Sequence, residues 1–489
     1  MLSTTVYLVA LVTSIFLLAT FTQRRKRRGL PYPPGPCPLP IVGNVFDVPR
    51  ESSWLAYTEW AKTYGDVISL RVFGQVIVVL NSTKSARDLL EKRAAIYSAR
   101  PDLPFFDLAN WNQWYIVFLS ADTSSWRLRR RMLDRGLRPS AAAQYWPMQK
   151  AKVHDFLKNL RSSPEDFRHH VEHLQGAIIM SLVYGYDVKD RDDPYVKDAL
   201  DANTLGQAAI LPGATIVNSL PFLRHFPEWL PGMGFHALAR ECERLGHKIV
   251  HRPFEFVKDS IRNGTVRLSI TQANLQDLDE TDTVGFQGTE RAIAEASGSL
   301  YVAGADTTVS AIRKRLPSDE DRSRLPYVEA LCKEVLRWRT VVPLGIPHVN
   351  TEDDVYKGYF IPKGSIIIAN AWAILSDPRI YPDPDEFKPE RFLTVDGQPR
   401  DDPTLMAAFG FGKRICPGRH LAENTLFIVA ASLLATYSVG KVQDEHGNDI
   451  SVGCGYTGGI ITYPEDFKCS IVPRSEMAEG LIAAELWDS

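Results

Sequence analysis

The stretch FGFGKRICPG, Phe409–Gly418, sets one of six cysteines among glycines, a proline and a Lys-Arg pair, directly ahead of the helix-like run RHLAENTLFIVAASLLA. Cys416 therefore sits where a loop enters a helix. Backbone N–H groups at a helix start favour negative charge, so the sequence predicts a thiol inclined to ionise. Gly410, Gly412 and Gly418 let the backbone turn tightly and approach a flat ligand. Arg414, just upstream, is placed for a carboxylate partner on that ligand. A structural cysteine at a helix start is the plainer reading of a lone Cys, but it leaves the surrounding residues unexplained. Cys37, Cys242, Cys332, Cys454 and Cys469 are scattered without a CxxC pair, which argues against a zinc site or disulfide framework.

The rest of the chain narrows the class. Its 489 residues are 45% hydrophobic and 23% charged with a net charge of −2, a globular composition that gives no reason to expect nucleic-acid binding. Residues 1–23 carry no charge and are followed by Arg24, Arg25, Lys26, Arg27 and Arg28. A helix of about 20 apolar residues spans a hydrocarbon core of about 30 Å. A cleaved signal peptide carries its positive charge ahead of the apolar run, so an uncleaved single-pass anchor is expected, with a buried core helix as the competing reading. The expected organisation is an anchor at 1–23, a basic and proline-rich linker at 24–40 and a catalytic domain at 41–489 on the cytoplasmic side. Helical patterns cover 53–64, 85–92, 124–136, 149–160, 167–184, 235–262, 289–314, 327–338 and 419–437. Strand-like runs are VISLRVFG, QVIVVLN, GSIIIAN and CSIVPRS, and the polar, acidic 264–285 reads as a surface loop. The expected class is mainly α with small β-sheets, not a βαβ series. No glycine-rich dinucleotide fingerprint and no GKS or GKT phosphate loop occurs.

A thiolate at a helix start, glycine-cleared space and a nearby arginine suit haem, which needs an axial ligand and a counter-charge for its propionates. Here the sequence resembles the cytochrome P-450 haem-thiolate monooxygenases. Their haem-loop pattern F-x-x-G-x-R-x-C-x-G is met at Phe409, Gly412, Arg414, Cys416 and Gly418. The resemblance implies haem b with Cys416 as axial thiolate and metal ligand. WRLRR resembles the family's W-x-x-x-R, which implies that Trp126 and Arg130 hydrogen-bond the propionates. His348 stands where a further propionate partner is often found, and a satisfied loop histidine is an equal reading. EVLR brings Glu334 and Arg337 onto one helix face. ECER, at Glu241 and Arg244, matches the same pattern and reads as a solvated face. The later FKPERF implies that Arg391 joins Glu334 and Arg337 in a buried charge cluster. AGADTT resembles the oxygen-binding part of the long distal helix, where Gly304 would let the helix widen, Thr307 would hold a water and Asp306 would deliver protons. A threonine bonded back to its own helix is the competing reading. Arg127, Arg131, Arg135 and Lys413 are candidates for a basic face that meets an acidic electron donor, or simply a charged helix surface.

The resemblance is closest to the fungal microsomal branch. It implies an endoplasmic-reticulum membrane enzyme of secondary or xenobiotic metabolism that takes electrons from an NADPH-dependent cytochrome reductase. It would insert one oxygen atom of O2 into a hydrophobic terpenoid, steroid, polyketide or aromatic. Apolar segments at 104–118, 205–217, 341–346 and 455–461 would line its pocket, or else form core, and 226–235 would dip into membrane lipid. A haem-thiolate isomerase or dehydratase is the alternative within the fold, disfavoured by the Asp306-Thr307 pair. One departure stands out. Between AGADTT and EVLR the chain holds only VSAIRKRLPSDEDRSRLPYVEALCK, a shortfall of roughly thirty residues or about eight helical turns. The expected fold therefore lacks the end of the distal helix and the helix that follows it. A catalytically silent or misfolded truncated protein is the alternative from another class.

Overall fold

The structure, a computed structural model, describes residues 27, 29–49, 51–210, 215–278, 283–304, 322, 324–451 and 455–484. The expected anchor at 1–23 and the residues Asp306 and Thr307 lie outside the described residues. Among the described residues, no helix is long and apolar enough to cross a membrane.

Helices dominate: α1 (Ser53–Tyr64), α2 (Ser124–Leu137), α3 (Trp146–Ser162), α4 (Phe167–Tyr184), α5 (Pro194–Ile210), α6 (Phe235–Arg262), α7 (Thr283–Gly304), α8 (Pro326–Trp338), α9 (Arg419–Thr436) and α10 (Glu476–Ala483). Their ends follow local chemistry. The Thr123 hydroxyl accepts from the Trp126 amide at the start of α2, and Ser475 does the same for Ala478 in α10. Gly185, at φ 66°, closes α4 in the left-handed conformation. On α6 the buried positions Ala239, Cys242, Leu245, Gly246, Ile249, Val250 and Pro253 recur every three or four residues, which turns one stripe inward.

That stripe packs with α2, α4, α7 and the aromatic segment around Trp111 into the largest core cluster. A second cluster joins α3, α8, α9 and α10. A third lies between a four-stranded sheet and the loop that leads to Cys416. The sheet is β1 (Val67–Val72), β2 (Gln75–Leu80), β3 (His348–Val349) and β4 (Ile366–Ala369) in the order β1-β2-β4-β3. β1 and β2 are antiparallel, while β2 and β4 run parallel with Ile77 opposite Ile366. Two-stranded ribbons at Asp354–Tyr356 with Tyr359–Ile361, and at Tyr437–Gly440 with Ser470–Pro473, complete the described sheets.

The segment 264–285, expected as a loop, contains the helix Ile270–Gln276. Ser269 caps it by accepting from the Gln272 amide, and Ile270 lies so close to Gly136 that a Cβ there would come within 2.8 Å. The expected helix at 85–92 is a short α-turn followed by a π-turn, Arg87–Lys92. Helix α5 had no counterpart in the sequence reading. The aromatic residues Phe105, Phe106 and Trp111 are core, each 2% exposed or less. On α8 and α9 Phe427 is fully buried, and among the described residues of those helices only Tyr327 is a large exposed hydrophobic. Arg322 seals that corner, bonded to Glu329 and Asn424 at 2.8 Å with its guanidinium over the Phe427 ring.

Candidate active site

The cysteine loop is built by short-range bonds. The Cys416 amide donates to the Phe409 carbonyl at 2.9 Å, and the Ile415 amide to that of Gly412 at 3.2 Å. Gly410 and Gly412 sit at φ 85° and 60°, in the region that favours glycine. At Gly412 a Cβ would lie 2.1 Å from the Leu90 carbonyl oxygen, so its close approach is to the π-turn and not to a ligand. At Gly418 a Cβ would only touch the Cys416 sulfur at 3.9 Å. Burial pushes the Cys416 thiol up, while the Gly418 backbone N–H, Arg130 and Arg419 pull it down. A metal held at the sulfur favours the ionised form.

Beside the loop lies an unusual concentration of positive charge. Arg414 donates to the carbonyls of Ser98 at 2.9 Å and Leu119 at 2.5 Å, with its guanidinium 5.0 Å from the centre of the Trp126 ring. Arg130 donates to the Ile415 carbonyl at 2.9 Å and pairs with Asp134. Arg100 donates to the carbonyls of Val117, Ile346 and Pro347 at 3.1, 2.7 and 2.8 Å. His348 bonds the Tyr97 carbonyl through Nδ1 at 2.7 Å. Burial, then Arg100, hold His348 far below the usual histidine range. Burial and Arg414 likewise depress Arg100, and burial and Arg130 lower Arg414 to about 10. Neither Arg100 nor Arg414 forms an ion pair with a described carboxylate; their partners are backbone oxygens. Both guanidiniums are partly buried, and partly desolvated cations without a paired carboxylate are costly; a bound dicarboxylate relieves that cost. This donor set fits the two propionates of haem, with Cys416 on the adjoining loop.

The structure brings Glu334, Arg337 and Arg391 together. Glu334 and Arg337 are fully buried and bonded at 2.6 Å, and Arg391 Nε reaches Glu334 at 3.2 Å. By contrast Glu241 and Arg244 pair in the open, 44% and 51% exposed. Arg127, Arg131, Arg135 and Lys413 are all exposed. Gly304 serves close packing, since a Cβ there would fall 2.4 Å from Ile179 Cδ1. Two of the apolar segments do meet: Leu344 and Gly345 share a 40 Å³ cleft with Gly458, Gly459 and Ile460.

Three features escaped the sequence reading. Arg100 shows there only as an Arg-Pro pair. The buried ion pair of Arg129 with Glu295 ties α2 to α7, and Arg291 adds a 2.8 Å bond to the same carboxylate. Ser299 accepts from the Ile116 amide at 3.1 Å. All three depend on contacts between distant segments, which no local pattern announces.

A sequence model described as Cytochrome P-450 matches residues 33–316 and 312–465. The two matches overlap at residues 312–316. Cytochrome P-450 monooxygenase COX1 of Coprinopsis cinerea is 36% identical over 519 residues, covering 99% of this chain and 100% of that protein. Cytochrome P-450 monooxygenase 98 of Postia placenta is 39% identical over 496 residues, covering 94% of each. Tryptamine 4-monooxygenase of Psilocybe cyanescens is 35% identical over 504 residues, covering 96% of this chain and 98% of that protein.

Proposed function

The chain belongs to the cytochrome P-450 family of haem-dependent monooxygenases, with fungal relatives, and on that premise we propose that Cys416 is the axial haem ligand. When bound, haem supplies the reductive activation of O2 and insertion of one oxygen atom into a substrate C–H bond. This chain's residues do the rest. Arg100, Arg130, Arg414, Trp126 and His348 hold the propionates and neutralise them. Phe409, Gly412 and Gly418 shape the loop that presents the sulfur. Glu334, Arg337 and Arg391 fix α8 against the segment leading into that loop. Thr307 holds a water and Asp306 passes protons to the distal side. The observation that carries this reading is the pair of partly buried guanidiniums, Arg100 and Arg414, that form no ion pair with a described carboxylate beside the Cys416 loop.

The substrate is a hydrophobic small molecule of terpenoid, steroid, polyketide or aromatic type. The name of the Psilocybe relative, a tryptamine monooxygenase, supports the aromatic class. Electrons come from a membrane-bound NADPH-dependent cytochrome reductase that docks on Arg127, Arg131 and Lys413, exposed beside the cysteine loop. The protein is a single-pass protein of the endoplasmic reticulum membrane, anchored by 1–23. Trp229 and Phe222, 80% and 56% exposed near the expected membrane-dipping loop, support that placement. The chain lacks roughly thirty residues between the distal helix and α8, about eight helical turns, a reading supported by the two-part family match. The test is the carbon monoxide difference spectrum of the reduced protein in microsomes. A Soret band at the red-shifted position of thiolate-bound haem is expected, lost in Cys416→Ala. A band shifted to the blue, or none, overturns the assignment.

A further inference from the structure

Besides its apolar core contacts, helix α7 has a buried polar edge. Glu295 and Ser299 are one helical turn apart and share it. Ser299 is 1% exposed; its hydroxyl donates to the Glu295 carbonyl at 2.8 Å and accepts from the Ile116 amide at 3.1 Å. Ile116 opens a short strap, 116–120, that runs between α7 and the cysteine loop. From the opposite side the strap is held by charge. Arg414 donates to the carbonyls of Ile116 and Leu119 at 3.4 and 2.5 Å, and Arg100 to that of Val117 at 3.1 Å. Phe118, Leu119 and Ser120 also wall a 230 Å³ cavity whose other sides include Arg100, Asp102 and Asn112. The strap thus has a strong charge-assisted edge and a weaker edge made by one neutral hydroxyl.

We propose that Ser299 is a positioning residue whose hydroxyl latches the strap 116–120 to α7, keeping the cavity beside Arg100 closed off from the haem face. Opening occurs at the Ser299 edge, because the guanidinium bonds are the stronger ones. The ionic bond of Glu295 to Arg129 fixes the turn of α7 from which the latch projects. The latch itself stands on the protein contacts alone. Its gating of the haem rests on the haem-thiolate reading.

The test uses the full chain with Ser299→Ala, which removes the hydroxyl, and Ser299→Thr, which keeps it. Hydrogen–deuterium exchange reads the Ile116 amide directly, and stopped-flow absorbance reads imidazole binding to the haem iron. Losing one neutral hydrogen bond changes an opening equilibrium by about three- to tenfold. Ser299→Ala is expected to speed exchange across the strap and imidazole association by that factor, with haem content unchanged, and Ser299→Thr to restore both. Unchanged exchange overturns the latch. Faster exchange with an unchanged imidazole rate overturns the gating. A chain that retains no haem refutes the haem-thiolate reading instead, and the exchange of Ile116 then decides the latch by itself.

Discussion

Glu334 and Glu241 stand in the same Glu-x-x-Arg pattern, and replacing the glutamate is expected to have opposite consequences at the two. Glu334 accepts from Arg337 Nε at 2.6 Å, Arg337 NH2 at 2.8 Å, Arg391 Nε at 3.2 Å and the Lys388 amide at 2.8 Å. Glu334→Gln keeps the shape but removes the charge and turns an amide NH2 toward a guanidinium. Arg337 then keeps one amide oxygen, the carbonyls of Leu375 and Glu386 at 3.1 and 3.3 Å and the face of Tyr381, and no other described carboxylate pairs with it or with Arg391. Breaking a buried pair from one side costs about 3–5 kcal/mol. A native domain commonly has only about 5–15 kcal/mol in total. Glu241→Gln breaks a pair that water already screens, which costs less than about 1 kcal/mol. Urea unfolding of the detergent-solubilised full chain, followed by tryptophan fluorescence and by the Soret band, separates the two. Glu334→Gln should lower the midpoint strongly and lose thiolate-bound haem at urea concentrations the parent tolerates. Glu241→Gln should superimpose on the parent. Equal shifts for the two variants would refute the argument that burial, and not sequence pattern, decides the value of the pair.

Other perturbations separate the remaining contributions. Arg100→Met removes a partly buried cation that no described carboxylate pairs with, so haem content by the pyridine haemochromogen assay should fall about tenfold; an unchanged ratio of haem to protein would remove Arg100 from the propionate clamp. Gly412→Ala places a Cβ 2.1 Å from the Leu90 oxygen at a positive φ, whereas at Gly410 the added Cβ meets nothing within 4 Å. Gly412→Ala should therefore abolish thiolate-bound haem while Gly410→Ala weakens it by about 1 kcal/mol of backbone strain, read from the carbon monoxide spectra of the two proteins side by side. His154 bonds the Ile482 carbonyl at 3.0 Å, and burial lowers its affinity for a proton. Its folded form resists a proton that the unfolded form accepts, so the contact is intact at neutral pH and loses stability as pH falls below about 6.5. Limited proteolysis should cut near α10 faster at acid pH, and His154→Gln should flatten that dependence.

What was legible in the sequence is what local chemistry fixes. The Cys416 loop and the start of α2 at Ser124 follow from residues within a few positions of one another. So do the stripe on α6 and the paired face of Glu334 and Arg337. The π-turn at Arg87–Lys92 and the helix Ile270–Gln276 were not legible, because tertiary packing decides both: Gly412 presses on Leu90, and Ile270 on Gly136. The surroundings of the Cys416 sulfur come from both sources: Arg419 and the Gly418 amide lie within a few residues of it, while burial, which raises the thiol, and Arg130, which lowers it, come from the fold. Arg100 shows the converse. Nothing local distinguishes it from any exposed arginine; its meaning comes from Arg414 and His348, 314 and 248 positions further along, and from the missing carboxylate. Arg100 and Arg414 pair with no described carboxylate, and Arg130 ties the Cys416 loop to the same cluster. A metalloporphyrin with two carboxylates would supply anions to the guanidiniums and a metal to the sulfur at once; a metal ion alone would leave the guanidiniums uncompensated, and an organic dianion alone would bring no metal to the sulfur.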